Sequence, residues 1–269
     1  MQPLLEWVRL YLAYASAAVR AQMQYRAAFA VRAVVDGMVV IIDFAPVYIL
    51  VRYFGALQGW SFAELALLYG MVGLSWGLVE GALHGFENFA KYLIQGELDR
   101  MLLRPRSIVL QLAGFEFQPR KLGRILQAST VLSIAIWHLE LGPVGLAWIL
   151  LGLGGGVLFF TGIIMLGAAS QFWTLGHTSE LQNVLTYGGS AALTYPMSVY
   201  TGWFRRVLTY GIPLAFVNYF PAIAALGRTE SEGWPSWVPA LSPLACLAAL
   251  VVGRWLFTRG LRRYESTGT

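Results

Sequence analysis

LAWILLGLGGGVLFFTGIIMLGAAS, residues 146–170, holds no Asp, Glu, Lys or Arg. The hydrocarbon core of a bilayer takes about 20 mostly apolar residues of helix, so this run predicts a membrane-spanning helix. Residues 29–54, 61–83, 121–139, 183–202 and 241–258 meet the same standard of length and apolarity. Composition agrees: the chain is 57% hydrophobic and 12% charged, whereas a soluble domain carries about 25% charge. The sequence therefore predicts an all-α integral membrane protein of six transmembrane helices.

The basic residues orient these spans. They gather at Arg9, Arg20, Arg26 and Arg32, then at Lys91, Arg100, Arg104, Arg106, Arg120, Lys121 and Arg124, and finally at Arg254, Arg259, Arg262 and Arg263. Short basic loops stay on the cytoplasmic side, against anionic headgroups. All three groups are expected there, with both termini. The net charge of +5 then reads as contact with membrane lipids and not with nucleic acid.

A seventh apolar run, residues 207–226, would reverse the last span and expose its arginines outside. Pro213 and Pro221 interrupt it, which suits a re-entrant outer hairpin over 204–227 better than a lipid-facing span. Residues 1–28 lack a signal-peptide core and read as an interfacial helix, with Arg9, Ser16, Arg20 and Gln24 on one face and Trp7, Tyr11, Tyr14 and Tyr25 on the other.

Ionisable groups inside spans are costly and turn toward protein or water. Arg32, Asp36 and Asp43 share one helix face by the 3.6-residue period. Arg32 and Asp36 are spaced to neutralise each other. Asp43 has no partner in its own helix and is the candidate for a substrate path, with Phe44 and Tyr48 nearby to receive a flat cation. Glu80, near the inner end of the second span, is a further path candidate, as a gate or as a group that snorkels to the interface. Gly73, Gly77 and Gly81, at four-residue intervals, favour close helix packing over ligand binding, as do Gly152, Gly154, Gly155 and Gly156.

No enzyme constellation emerges. His84, His138 and His177 are scattered, and neither HExxH, GxSxG nor GxxxxGK[ST] occurs. The chain is expected to bind no cofactor of its own, and Cys246, the one cysteine, forms no framework. The most distinctive loop is FENFAKYLIQ, residues 86–95, within a coupling region over 84–107. Phe86, Phe89 and Leu93 occupy one helical face, an apolar knob beside Lys91, Glu97, Asp99 and Arg100. Such a knob suits a groove on a partner.

GELDRMLLRPRS (residues 96–107) and FRRVLTYGIPLAFVNYFPAIAALG (residues 204–227) resemble the ABC-2 type export permeases, in particular a six-span bacterial group. The resemblance spans nearly the whole chain as a single transmembrane domain, residues 1–269. It implies a half-transporter: a second permease subunit, a pair of ABC ATP-binding subunits carrying ATP and Mg, and a coupling helix at residues 86–95. It also implies export of hydrophobic or cationic small molecules or lipid-like substrates across the cytoplasmic membrane. A secondary transporter or channel would be expected to carry inverted repeats or more intramembrane charge, and a membrane anchor for a complex is the remaining alternative.

Overall fold

The computed structural model describes residues 2–25, 56–174 and 183–265, with isolated positions between 27 and 53. Every regular element among these is helical. The elements are α1 (Gln2–Gln22), α2 (Phe62–Glu87), α3 (Phe89–Ile94), α4 (Glu97–Leu102), α5 (Ile108–Phe115), α6 (Leu122–His138), α7 (Pro143–Thr174), α8 (Gly189–Leu193), α9 (Gly202–Arg206), α10 (Tyr219–Ala225) and α11 (Ser242–Arg262).

α2 starts at a capping box. The Ser61 hydroxyl accepts the Glu64 N–H at 3.4 Å, and the Glu64 carboxylate accepts the Ser61 N–H at 2.8 Å. Two orphan donors of the first turn are thereby satisfied. Glu64 also pairs with Arg228 at 3.0 Å, fastening the start of α2 to the loop that follows α10.

Glycines set the spacing of α2 against α6. A Cβ at Gly73 would lie 3.1 Å from the Ala128 Cβ, and one at Gly77 3.1 Å from Ile125. The four-residue glycine interval is thus a packing seam, as small residues provide where lipid gives no hydrophobic drive between helices. α7 is the central helix. Its Gly152 meets Met71 of α2 and Pro221 of α10, Gly155 meets Cys246 of α11, and Gly156 meets Ser75.

Among the described residues three helical stretches are long and apolar enough to cross a membrane: Phe62–Ile94, Pro143–Thr174 and Val238–Arg262. They coincide with three of the six expected spans. A fourth arises if the pair Gly202–Gly211 and Leu214–Ala225, bent by 66°, is taken as one span. The bend falls where Ile212 leaves the helical region, before Pro213, whose ring lacks a donor.

Two further expected spans are shorter or broken. Residues 121–139 form α6, a helix of 17 residues, at the short end of the range a bilayer takes. Residues 183–202 do not form one continuous helix: a π-helical turn at Val184–Gly188 leads into the five residues of α8, and the backbone is extended at Pro196. Proline disfavours helix in the residue before it. The apolar content of that segment was read correctly, but its continuity was not. The expected first span, 29–54, lies almost wholly outside the described residues.

The end of the bundle beside the α2 kink alters the docking expectation. α2 kinks at Leu83, where φ is −124° and ψ 21°, and α3 turns its apolar stripe into the protein. Phe86 and Phe89 are 0% exposed and Leu93 2%. The Phe89 ring meets Phe172 at 4.9 Å and Phe257 at 5.4 Å, and Phe86 meets Phe257 at 5.3 Å. These three side chains close the end of the α7–α11 pair and are not an exposed knob. Periodicity reveals that a face is buried, and says nothing of what buries it.

The aromatic side of α1 also finds protein. Tyr11 donates to the Ala82 carbonyl at 3.2 Å, its ring stands edge-on to Phe117 at 6.4 Å, and Tyr14 lies over Gly114 of α5. That part of the face is covered by the chain itself.

Candidate functional site

Glu80 lies three residues before the kink in α2 and its side chain is 0% exposed. An ionised carboxylate in such a place requires partners. Three side chains supply them. Lys121 Nζ lies 2.7 Å from Oε1, Arg124 Nη1 2.9 Å from Oε2, and the Tyr187 hydroxyl donates to Oε1 at 2.9 Å. Lys121 ends a 3-10 turn and Arg124 lies in the first turn of α6, so both point to one side of the helix start. Gly77 faces this stretch of α6: a Cβ there would be tight against Ile125 at 3.1 Å and in ordinary contact with the Arg124 Cγ at 3.6 Å.

The arrangement holds one acid against two bases. Tyr187 joins it to a second acid, Glu87, at 3.5 Å, and His84 Nδ1 lies 2.9 Å from Glu87. The Tyr187 ring stands edge-on to Trp76 at 5.5 Å. On the other side of these rings a cleft of about 320 Å³ opens between α2 and α8, lined by Tyr69, Trp76, Arg124, Tyr187, Thr194 and Tyr195 among others. Its walls are aromatic, with one guanidinium at the rim. Apolar walls with a few convergent polar groups are the ordinary make-up of a small-molecule site.

Among the expected path residues, Glu80 is thus a buried ion-pair centre and does not snorkel. Asp36, Asp43 and Tyr48 lie outside the described residues. Of the expected coupling residues, Lys91 and Arg100 are exposed and Glu97 and Asp99 half-buried, while Phe86, Phe89 and Leu93 are in the core. Sequence reasoning assigned Lys121 and Arg124 to a lipid-facing basic group and did not single out Tyr187. One signal for them was available: a Glu within an apolar stretch of helix implies a basic partner, and two bases three residues apart begin the next helix.

Long apolar helices packed through glycines around a buried ionic centre define a multi-pass membrane protein. Residues 38–268 match the family model described as ABC-2 family transporter protein. The chain belongs to this family and is the membrane domain of an ABC transporter, which implies association with an ABC ATP-binding subunit. Comparison with curated proteins and with solved structures returns no match.

Proposed function

We propose that this chain is the permease subunit of an ATP-driven exporter that moves a hydrophobic, cationic or lipid-like small molecule across the cytoplasmic membrane. In this reading it has six spans, both termini in the cytoplasm and 204–227 re-entrant from the outer side, and it pairs with a second permease subunit above two ATPase subunits that hold ATP and Mg. The carrying observation is the aromatic cleft beside Glu80, Lys121 and Arg124, which joins a substrate-sized apolar space to a charged centre where α2, α6 and the Tyr187 turn meet. Movement of α2 relative to α6 would alter both together.

A preference for cations rests on Asp43. ATP-dependent accumulation of methyl viologen in inside-out vesicles containing the permease and its ATPase is the direct test. Asp43→Asn should abolish that accumulation while the complex still assembles. Unchanged accumulation would remove the cation from the proposal.

The partner surface follows from what α3 and α4 leave outside. Leu103 is 86% exposed, Ile94 61% and Leu102 44%, and the exposed Lys91, Arg100, Arg104 and Arg106 surround them. We place the ATPase contact there, an apolar centre with a charged rim. Leu103→Asp should weaken ATPase co-purification by tenfold or more, as loss of a central contact does, with normal yield of the permease. Phe89→Asp should instead lower the yield of folded permease, because it buries a charge against Phe172 and Phe257. Release of the ATPase by Phe89→Asp at full yield would return the docking role to the buried face.

A further inference from the structure

The run from Gly202 carries two arginines that belong to none of the three basic groups, and the structure builds a pocket around them. α9 continues into a π-helical turn, Val207–Gly211. That turn, Tyr200 and Trp234 enclose a space of about 310 Å³ with Arg205, Arg206, Thr209 and Tyr210 in its walls. The Arg205 guanidinium sits 5.6 Å over the Trp234 ring.

Hydrogen-bond donors dominate the pocket walls. Among the described residues neither arginine has a carboxylate within ion-pair distance. Glu232, the acid close by, already accepts from the Tyr219 hydroxyl at 2.9 Å. Thr209 is 1% exposed, and among the described residues its hydroxyl has no hydrogen-bond partner. Helical threonines elsewhere in the chain satisfy this group locally: Thr130, Thr161 and Thr258 each donate to the carbonyl four residues back at 2.7 to 2.8 Å. Thr209 sits in the π-helical turn and does not. Buried polar groups are normally satisfied, and π-helical turns concentrate at functional sites. Two cations and an idle buried hydroxyl converge on an empty space and ask for an acceptor.

Arginine pairs with neutral donors beside them are the usual grip on phosphate. The flanks identify the form in which phosphate arrives. Tyr210, at 69% exposure, lines the pocket, and Trp203, at 71%, follows its Gly202 in the chain; exposed Trp and Tyr mark the membrane–water boundary. We propose that the pocket binds the phosphate of a glycerophospholipid headgroup, held by Arg205, Arg206 and the Thr209 hydroxyl, with the lipid's apolar part along Trp203 and Tyr210. The proposal is independent of the transported substrate and of which side of the membrane the pocket faces.

The test is native mass spectrometry of the full chain in detergent, titrated with palmitoyl-oleoyl phosphatidylglycerol, with dioleoylglycerol as the phosphate-free lipid and with inorganic phosphate as competitor. The wild type should retain one phosphatidylglycerol per chain more than the Arg205→Ala/Arg206→Ala variant. At this site apparent affinity should fall tenfold or more, about what the loss of a charge-assisted contact to phosphate brings. Thr209→Val keeps the shape and should weaken binding about fivefold, which preserves the test if the double variant folds poorly. Retention unchanged in both variants would overturn the proposal, as would equal retention of dioleoylglycerol. Displacement of the lipid by millimolar inorganic phosphate would assign the pocket to a soluble phosphate and overturn its lipid form.

Discussion

Glu80→Gln should destabilise the folded permease by about 3–5 kcal/mol, the usual consequence of removing one partner from a buried ion pair. The reason is the asymmetry of the centre. Lys121 Nζ and Arg124 Nη1 both lie within 3 Å of the carboxylate, and a neutral amide leaves two cations facing each other in a medium that screens them poorly. Glutamine keeps the shape and an acceptor for the Tyr187 hydroxyl, so packing is not what changes. Unfolding in detergent, followed by intrinsic fluorescence, measures the loss. Glu80→Gln/Lys121→Met should recover part of it, since it returns the centre to a single cation. A wild-type unfolding profile for Glu80→Gln would mean that water or another acid already neutralises the two bases.

The case of Glu80 shows how far the sequence reaches. That an acid in an apolar helix is functional or paired follows from composition alone. Its partners do not, because Tyr187 is 107 residues away and the two bases obey the positive-inside pattern whether they face lipid or Glu80. The spans at residues 61–83, 146–170 and 241–258 were legible because uninterrupted apolar length has one reading. The segment 183–202 was less so, since a π-helical turn and Pro196 break the helix without lowering hydropathy. Phe86, Phe89 and Leu93 do share a face, and in the structure it packs within the chain: an amphipathic stripe fits a groove on another protein and the end of its own bundle equally well. The pocket of Arg205 and Arg206 escaped because its closing residue, Trp234, comes from a different loop.

The second large effect is expected where α7 and α11 touch. At Gly253 an added Cβ would fall on the Gly162 carbonyl, and at Gly162 it would fall on the Ala249 carbonyl. Both obstacles are backbone, so no side-chain rotation relieves them. Gly253→Val should therefore force the two helices apart and lower stability by more than about 3 kcal/mol, beyond the usual range for overpacking, which assumes that side chains can yield. The separation would also disturb Phe257, one turn along α11, which closes over Phe86 and Phe89. Yield of monodisperse protein on size exclusion, together with unfolding in detergent, reads the effect. Gly154 supplies the control within the glycine-rich stretch of α7: it is exposed, and a Cβ there meets nothing within 4 Å among the described residues. Gly154→Ala should be neutral or stabilising by up to about 1 kcal/mol, through helix propensity alone. Equal tolerance of Gly253→Val and Gly154→Ala would show that the α7–α11 contact is looser than described. Equal intolerance would show that Gly154 faces a neighbour outside the described residues, as a second subunit would be.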